Sequence, residues 1–188
     1  CLAMAGGLML QVLSQGPISY HLGGWEPPWG IEYRVDAVNA FILILVSLIG
    51  AVVLLYAPAS IEAELPEARA SLFYTAYLLC FTGLLGMTIT GDAFNVFVFL
   101  EVSSLSTYAL IAMGTDRRAL AASFQYLIMG TIGATFFVIG IGLLYMMTGT
   151  LNMADMAIRL QPVLATRTVL AAFAFLTVGL SLKLALFP

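Results

Sequence analysis

Gly91-Asp92-Ala93-Phe94-Asn95-Val96-Phe97-Val98-Phe99-Leu100-Glu101-Val102-Ser103-Ser104-Leu105-Ser106-Thr107-Tyr108 decides how the chain is read. The stretch is apolar enough to cross a bilayer, yet it holds a carboxylate, Glu101, near its middle. With ~1.5 Å of rise per residue, Glu101 lies roughly 13 Å past Asp92 and about 18 Å before Met113. A short carboxylate does not reach the headgroups from there. A charge at that depth costs roughly 3 kcal/mol on insertion scales. Ser104 and Tyr108, three and seven residues on, fall on the same helical face as Glu101. This polar stripe is expected to face protein or water, away from lipid. Asp92 most simply caps the same helix, since its carboxylate can accept from the free N–H groups of the first turn.

Composition carries that reading to the whole chain. Of 188 residues, 62% are hydrophobic and only 9% charged, where a soluble domain has about 25% charged. The expected class is all-α, a polytopic bundle of transmembrane helices. No basic run points to nucleic acid. Two cysteines, Cys1 at the chain start and Cys80 inside a span, make neither a disulfide framework nor a metal site. Cys1 as a lipidated terminus is disfavoured, because Leu-Ala-Met continues the apolar run. No cofactor is expected: the chain has no glycine-rich βαβ fingerprint and no cysteine cluster. It is read as an integral membrane protein that crosses the bilayer several times.

The expected order is a partial helix over 1–13, truncated like the other end of the chain, and an interfacial loop or hairpin over 14–36. Spans over 37–56, 72–90, 93–113, 119–147 and 168–187 follow. Gly16-Pro17, Gly23-Gly24 and Pro27-Pro28 forbid a helix in the first loop. Tyr20, Trp25, Trp29 and Tyr33 fit an aromatic belt at the membrane surface. His21, the lone histidine, reads as a solvated residue. Asp36 can cap the span beginning at Ala37, and Pro58 is expected to stop that span after Tyr56. Gly83, Gly86, Gly130 and Ala134 are small residues that permit close helix contact in lipid. Met153 to Leu160 reads as a short surface helix, anchored at the interface by Met153, Met156, Ala157 and Leu160. Arginines divide evenly between the two sides, three each. The set in shorter loops, Arg69, Arg117 and Arg118, is assigned to the cytoplasm.

Lys183 is the second charge within a span. It sits only about 6 Å from Phe187, so it can snorkel to the headgroups. If instead the helix breaks at Pro188 and resumes beyond it, Lys183 is central to a longer, broken span. Discontinuous helices of that kind line ion sites in transporters. A carboxylate near Lys⁺ has a lowered pKa, and separating the two lets desolvation raise it again. A Glu101–Lys183 pair is therefore either a proton-loading switch or a static ion pair that fixes helix register.

The order of residues from Thr90 to Leu110, with Gly179-Leu180-Ser181-Leu182-Lys183-Leu184-Ala185-Leu186-Phe187-Pro188, resembles the signature of the antiporter-like membrane subunits. These are shared by respiratory complex I, membrane-bound hydrogenases and Mrp-type sodium/proton antiporters. Gly16 to Tyr20, Gly23 to Tyr33, Tyr126 to Thr135 and Thr148 to Asp155 are similar to the pattern of the D subunit of Mrp antiporters. The resemblance implies that the spans correspond to part of helix two through the first half of helix seven of fourteen, in a fold with inverted repeats. It implies that Glu101 and Lys183 are the pair proposed to govern proton movement, and that Pro188 marks the broken helix. It also implies neighbouring membrane subunits as partners, and protons exchanged against Na⁺. Two other readings remain open: a proton-pumping, non-catalytic subunit of an NADH:quinone oxidoreductase-like or hydrogenase complex, and a non-conducting scaffold with a structural ion pair.

Overall fold

The computed structural model describes residues 1–66 and 69–186. Its elements are α1 (Leu2–Gln15), β1 (Ile18–His21), β2 (Glu32–Val35), α2 (Ala37–Glu64), α3 (Ala70–Ile89), α4 (Ala93–Ala112), α5 (Arg117–Thr148), α6 (Met153–Leu160) and α7 (Arg167–Lys183). β1 and β2 pair in a two-stranded sheet. Among the described residues, α2, α3, α4 and α5 are long and apolar enough to cross a bilayer. This is an integral, multi-pass membrane protein built of helices.

The chain divides into two compact units. The first comprises Cys1–Ser19, Arg34–Ile89 and Phe99–Gln125. Here α1 packs on α2 through Ala5, Val12, Ala40 and Leu43, with Leu85 and Ile89 of α3 against them. Asp36 caps α2, its carboxylate accepting the N–H groups of Val38 and Asn39 at 2.9 Å. Glycines set the helix contacts. A Cβ on Gly83 of α3 would stand 2.7 Å from Ser103 Cβ of α4, and one on Gly86 would meet the Phe99 ring. Gly50 of α2 lies under the Phe81 ring and its carbonyl accepts from the Tyr77 hydroxyl at 2.8 Å. Close backbone approach gains van der Waals contact, which drives helix association where lipid removes the hydrophobic term.

α2 corrects the expectation of a stop after Tyr56. Pro58 lies inside the helix, which runs on to Glu64. Pro58 removes the N–H that would reach the Leu54 carbonyl and crowds that carbonyl with its ring, a cost of about 3 kcal/mol that the helix bears. Beyond it the sequence turns polar, as a helix end emerging among headgroups should, and Ser60 Oγ donates to Glu64 at 3.1 Å.

The second unit comprises Tyr20–Tyr33, Thr90–Val98 and the chain from Tyr126 onward. α5 and α7 approach through glycines: a Cβ on Gly179 would lie 2.7 Å from the Gly133 carbonyl oxygen, and one on Gly140 would lie 2.7 Å from Leu176 Cγ. α6 occupies the residues expected, but its apolar face serves differently. Met156 and Leu160 are buried with Leu144, Val169 and Ala172, so half of the stripe seals protein against protein, while Met153 and Ala157 stay exposed. Asn152 caps α6, and Asp155 pairs with Arg159 one turn on at 2.9 Å.

α7 is 17 residues long and ends at Lys183, short of the 168–187 span expected. Ala185, at φ 50°, reverses the chain. Its N–H donates to Leu182 at 3.3 Å, and the Leu186 N–H donates to Ser181 at 3.0 Å. This is the Schellman ending, which favours glycine at the reversing position. An alanine there costs roughly 1–2 kcal/mol. The break expected at Pro188 lies outside the described residues.

Replacing Gly86 by Val forces a branched side chain into the Phe99 ring. In the complete protein this should cost about 1–3 kcal/mol, read as a lowered unfolding temperature in detergent. Gly142→Ala, where nothing lies within 4 Å of the added carbon, should leave that temperature unchanged or raise it.

Candidate functional site

α4 positions Glu101. Its start is capped by Asp92, whose Oδ1 accepts the Asn95 N–H at 2.8 Å. Burial raises the Asp92 pKa, and hydrogen bonds from the Asn95 and Phe94 backbone partly offset it. The cap expected for Asp92 is therefore in place. Nine residues separate Asp92 from Glu101, and at 100° per residue they lie on opposite sides of α4. Asp92 does not extend the Glu101 stripe.

Glu101 is half-buried, and Ser104 and Tyr108 are buried. Tyr108, 6% exposed, is tied to α5, because the Ser123 hydroxyl donates to its carbonyl at 2.8 Å. Helical side chains lean toward the N-terminus, so the Tyr108 phenol is carried back toward the level of Ser104. By the same spacing, the positions preceding Glu101 on this face are Phe94, Phe97 and Val98. The polar surface of this face therefore runs from Glu101 toward the Ala112 end of α4.

Sequence reading missed a second polar side of the helix. The hydroxyls of Ser103, Ser106 and Thr107 donate to the carbonyls of Leu100, Val102 and Ser103 at 2.7–3.0 Å. Thr107 also lies 3.4 Å from the Cys80 sulfur of α3. These hydroxyls satisfy themselves on their own helix, so they can line a helix contact without outside partners. The run of small hydroxyl residues opposite Gly83 was the available signal.

Lys183 is the last residue of α7 and is half-buried. Its stem crosses Gly133 of α5, where an added Cβ would come within 3.3 Å of Lys183 Cγ. Lys183 is thus the basic residue of the last turn of α7, a position where the helix dipole favours a cation. Glu101 belongs to the first unit and Lys183 to the second, and neither is without a partner.

Residues 90–188, just over half the chain and the part holding both charges, match the profile described as "NADH:quinone oxidoreductase/Mrp antiporter, TM". The chain belongs to this family. Its similar proteins come from both branches named there. The chain is 45% identical over its whole length to the NADH-quinone oxidoreductase subunit N of Desulforudis audaxviator, covering 37% of that protein. It is 30% identical to the D subunit of the Na(+)/H(+) antiporter of Bacillus subtilis, again over the whole of this chain and 37% of the relative. Among solved structures, a chain of the Mrp complex from Dietzia sp. DQ12-45-1b superposes with a TM-score of 0.82 at 28% identity, covering 96% of this chain and 33% of that one. The chain therefore spans about a third of the length of these family members.

The Asp92 environment gives a pH signature. A carboxyl whose folded pKa is raised favours the fold below its unfolded pKa, and that contribution is lost as pH rises through the folded value. Asn caps a helix as well as Asp does. Across the acid carboxylate range the unfolding temperature of the wild type should therefore fall relative to Asp92→Asn as pH rises, and the gap should be constant above it. A gap independent of pH throughout would contradict this.

Proposed function

We propose that this chain is part of a proton-translocating membrane subunit of a multisubunit monovalent-cation (Na⁺)/proton antiporter. Glu101 and Lys183 act in it as a proton-loading switch. The observation that carries the reading is Glu101 itself: a carboxylate half-way along a 20-residue apolar helix, heading a polar face through buried Ser104 and Tyr108. Ionisable groups at that depth mark ion pathways, since their cost is otherwise uncompensated. When Lys183 approaches, Glu101 releases its proton. When Lys183 moves to another partner, desolvation restores the proton to Glu101. Hydrated routes to the two membrane faces turn that exchange into transport, with neighbouring membrane subunits completing the routes. Cation specificity and driving force belong to the whole assembly.

The 45% identity to a protein named NADH-quinone oxidoreductase subunit N favours a second reading. In it the same switch is driven by electron transfer in a partner arm, and the subunit holds no redox group of its own. The two readings share Glu101 and Lys183 and differ in what moves Lys183.

The test uses the complete complex in sealed vesicles with a pH-reporting dye. Glu101→Gln should reduce proton movement at least tenfold while the complex still assembles, which is the loss of about 1.4 kcal/mol or more in the transport step. Lys183→Leu should do the same. Full transport by both variants would reduce the two charges to a structural role. Collapse of ΔpH on adding Na⁺ identifies the antiporter, whereas proton movement that follows only added electron donor identifies the redox-driven form.

A further inference from the structure

The start of α4 is held by pieces of chain remote from it in sequence. Tyr33 of β2 bridges Thr90, and Asp92 bridges Asn152 in the antiparallel sense. Gly91 donates its N–H to the Glu32 carbonyl at 2.8 Å, and its own carbonyl accepts from Met153 at 2.9 Å. The Ala93 N–H donates to Leu151 at 2.8 Å. Segments 32–33, 90–93 and 151–153 thus form a small backbone ladder with the start of α4 as its middle rung.

One side-chain bond ties the outer two segments to each other. Asn152 Nδ2 donates to Glu32 Oε2 at 2.8 Å. The other end of that amide is also in use: Oδ1 accepts the N–H groups of Ala154 and Asp155, both at 3.1 Å. Asn152 is 3% exposed. A buried amide using both ends is expensive to replace on its own, because with its partners unchanged a substitute loses its donor or its acceptor. Charged groups linked to it are Asp92, which bridges Asn152 and is occupied as the α4 cap, and Asp155 with its partner Arg159, whose Nη1 also donates to the Thr148 carbonyl at 3.3 Å.

We infer that Asn152, with Glu32 as its partner, is a positioning residue for Glu101: the hydrogen bond between them fixes the first turn of α4, and so the depth at which Glu101 exchanges its proton. α4 runs unbroken from Ala93 to Ala112. A shift of its first turn is therefore carried along the helix to Glu101. The pKa of a carboxylate within the membrane depends on how much water and which charges reach it, so a change of depth changes the pH at which Glu101 loads. This inference rests on the proposed role of Glu101.

The bond can be removed from either side and rebuilt in reverse. Glu32→Ala deletes the acceptor without removing any backbone group of the ladder or of the α6 cap, so a shift of the first turn traces to the lost side-chain bond. Asn152→Asp keeps the cap but sets two carboxylates against each other. In Glu32→Gln/Asn152→Asp the glutamine amide donates to the aspartate, and the bond returns with its polarity exchanged. In vesicles holding the complete complex, Glu32→Ala and Asn152→Asp should each slow proton flux roughly ten- to a hundredfold, the scale set by a small misplacement far from the reacting group. Each should also move the pH midpoint of flux. The double variant should recover both rate and midpoint. Wild-type rate and midpoint in Glu32→Ala, or no recovery in the double variant, overturns the inference. Glu101→Gln in the same vesicles separates the two levels. If that variant transports fully, the role of Glu101 falls. If it does not, and Glu32→Ala behaves as wild type, only the positioning role falls.

Discussion

A lipid interior offers no hydrogen bonds, so every polar group within it must find its partner in the chain. The rest of the structure follows from that constraint. It makes the spans helical, because a helix pairs its own backbone. It sends the hydroxyls of Thr75, Thr82, Thr88, Thr131, Thr135 and Thr177 back to carbonyls one turn earlier. It also makes Glu101 conspicuous, since a carboxylate has no such self-contained solution. A carboxylate kept on an apolar helix needs neighbours that accept it, and Ser104 and Tyr108 supply a face for them.

The same constraint gives glycine its place. Gly50, Gly83, Gly86, Gly133, Gly140 and Gly179 each sit where an added carbon would strike a neighbouring helix. Contact at that distance replaces the hydrophobic drive that a soluble bundle would have. It also shapes the surroundings of Lys183, whose stem lies across Gly133, while Ser103 packs against Gly83 on the side of α4 away from Glu101. Membership of the NADH:quinone oxidoreductase/Mrp antiporter family goes with a chain of few charges, 9% of its residues.

At the helix ends, where water becomes available, the chain changes method. Asp36, Asp92 and Asn152 cap α2, α4 and α6. The hairpin and segment 151–153 lend backbone groups to the start of α4, so the helix bearing Glu101 is better fixed at its first turn than the three-residue connection from α3 alone would provide.

Much of this was written in the sequence. Hydropathy fixed the helical membrane class, because 20-residue apolar runs have few other outcomes. The caps at Asp36 and Asp92 and the bounds of α6 followed from local chemistry alone. So did the position of Glu101 half-way along its span, since helical rise is constant. Tertiary structure decided what depends on partners. Pro58 stays inside α2 because the lost hydrogen bond and the crowded carbonyl are a cost the helix bears. The Met156–Leu160 stripe turns to protein because Val169 and Ala172 stand opposite it. α7 ends at Lys183 through a left-handed alanine that no propensity favours. Asn152 gains its meaning only when Glu32, 120 residues earlier, is brought to its amide. Local pattern encodes which groups need partners, but only the folded chain determines which groups meet that need.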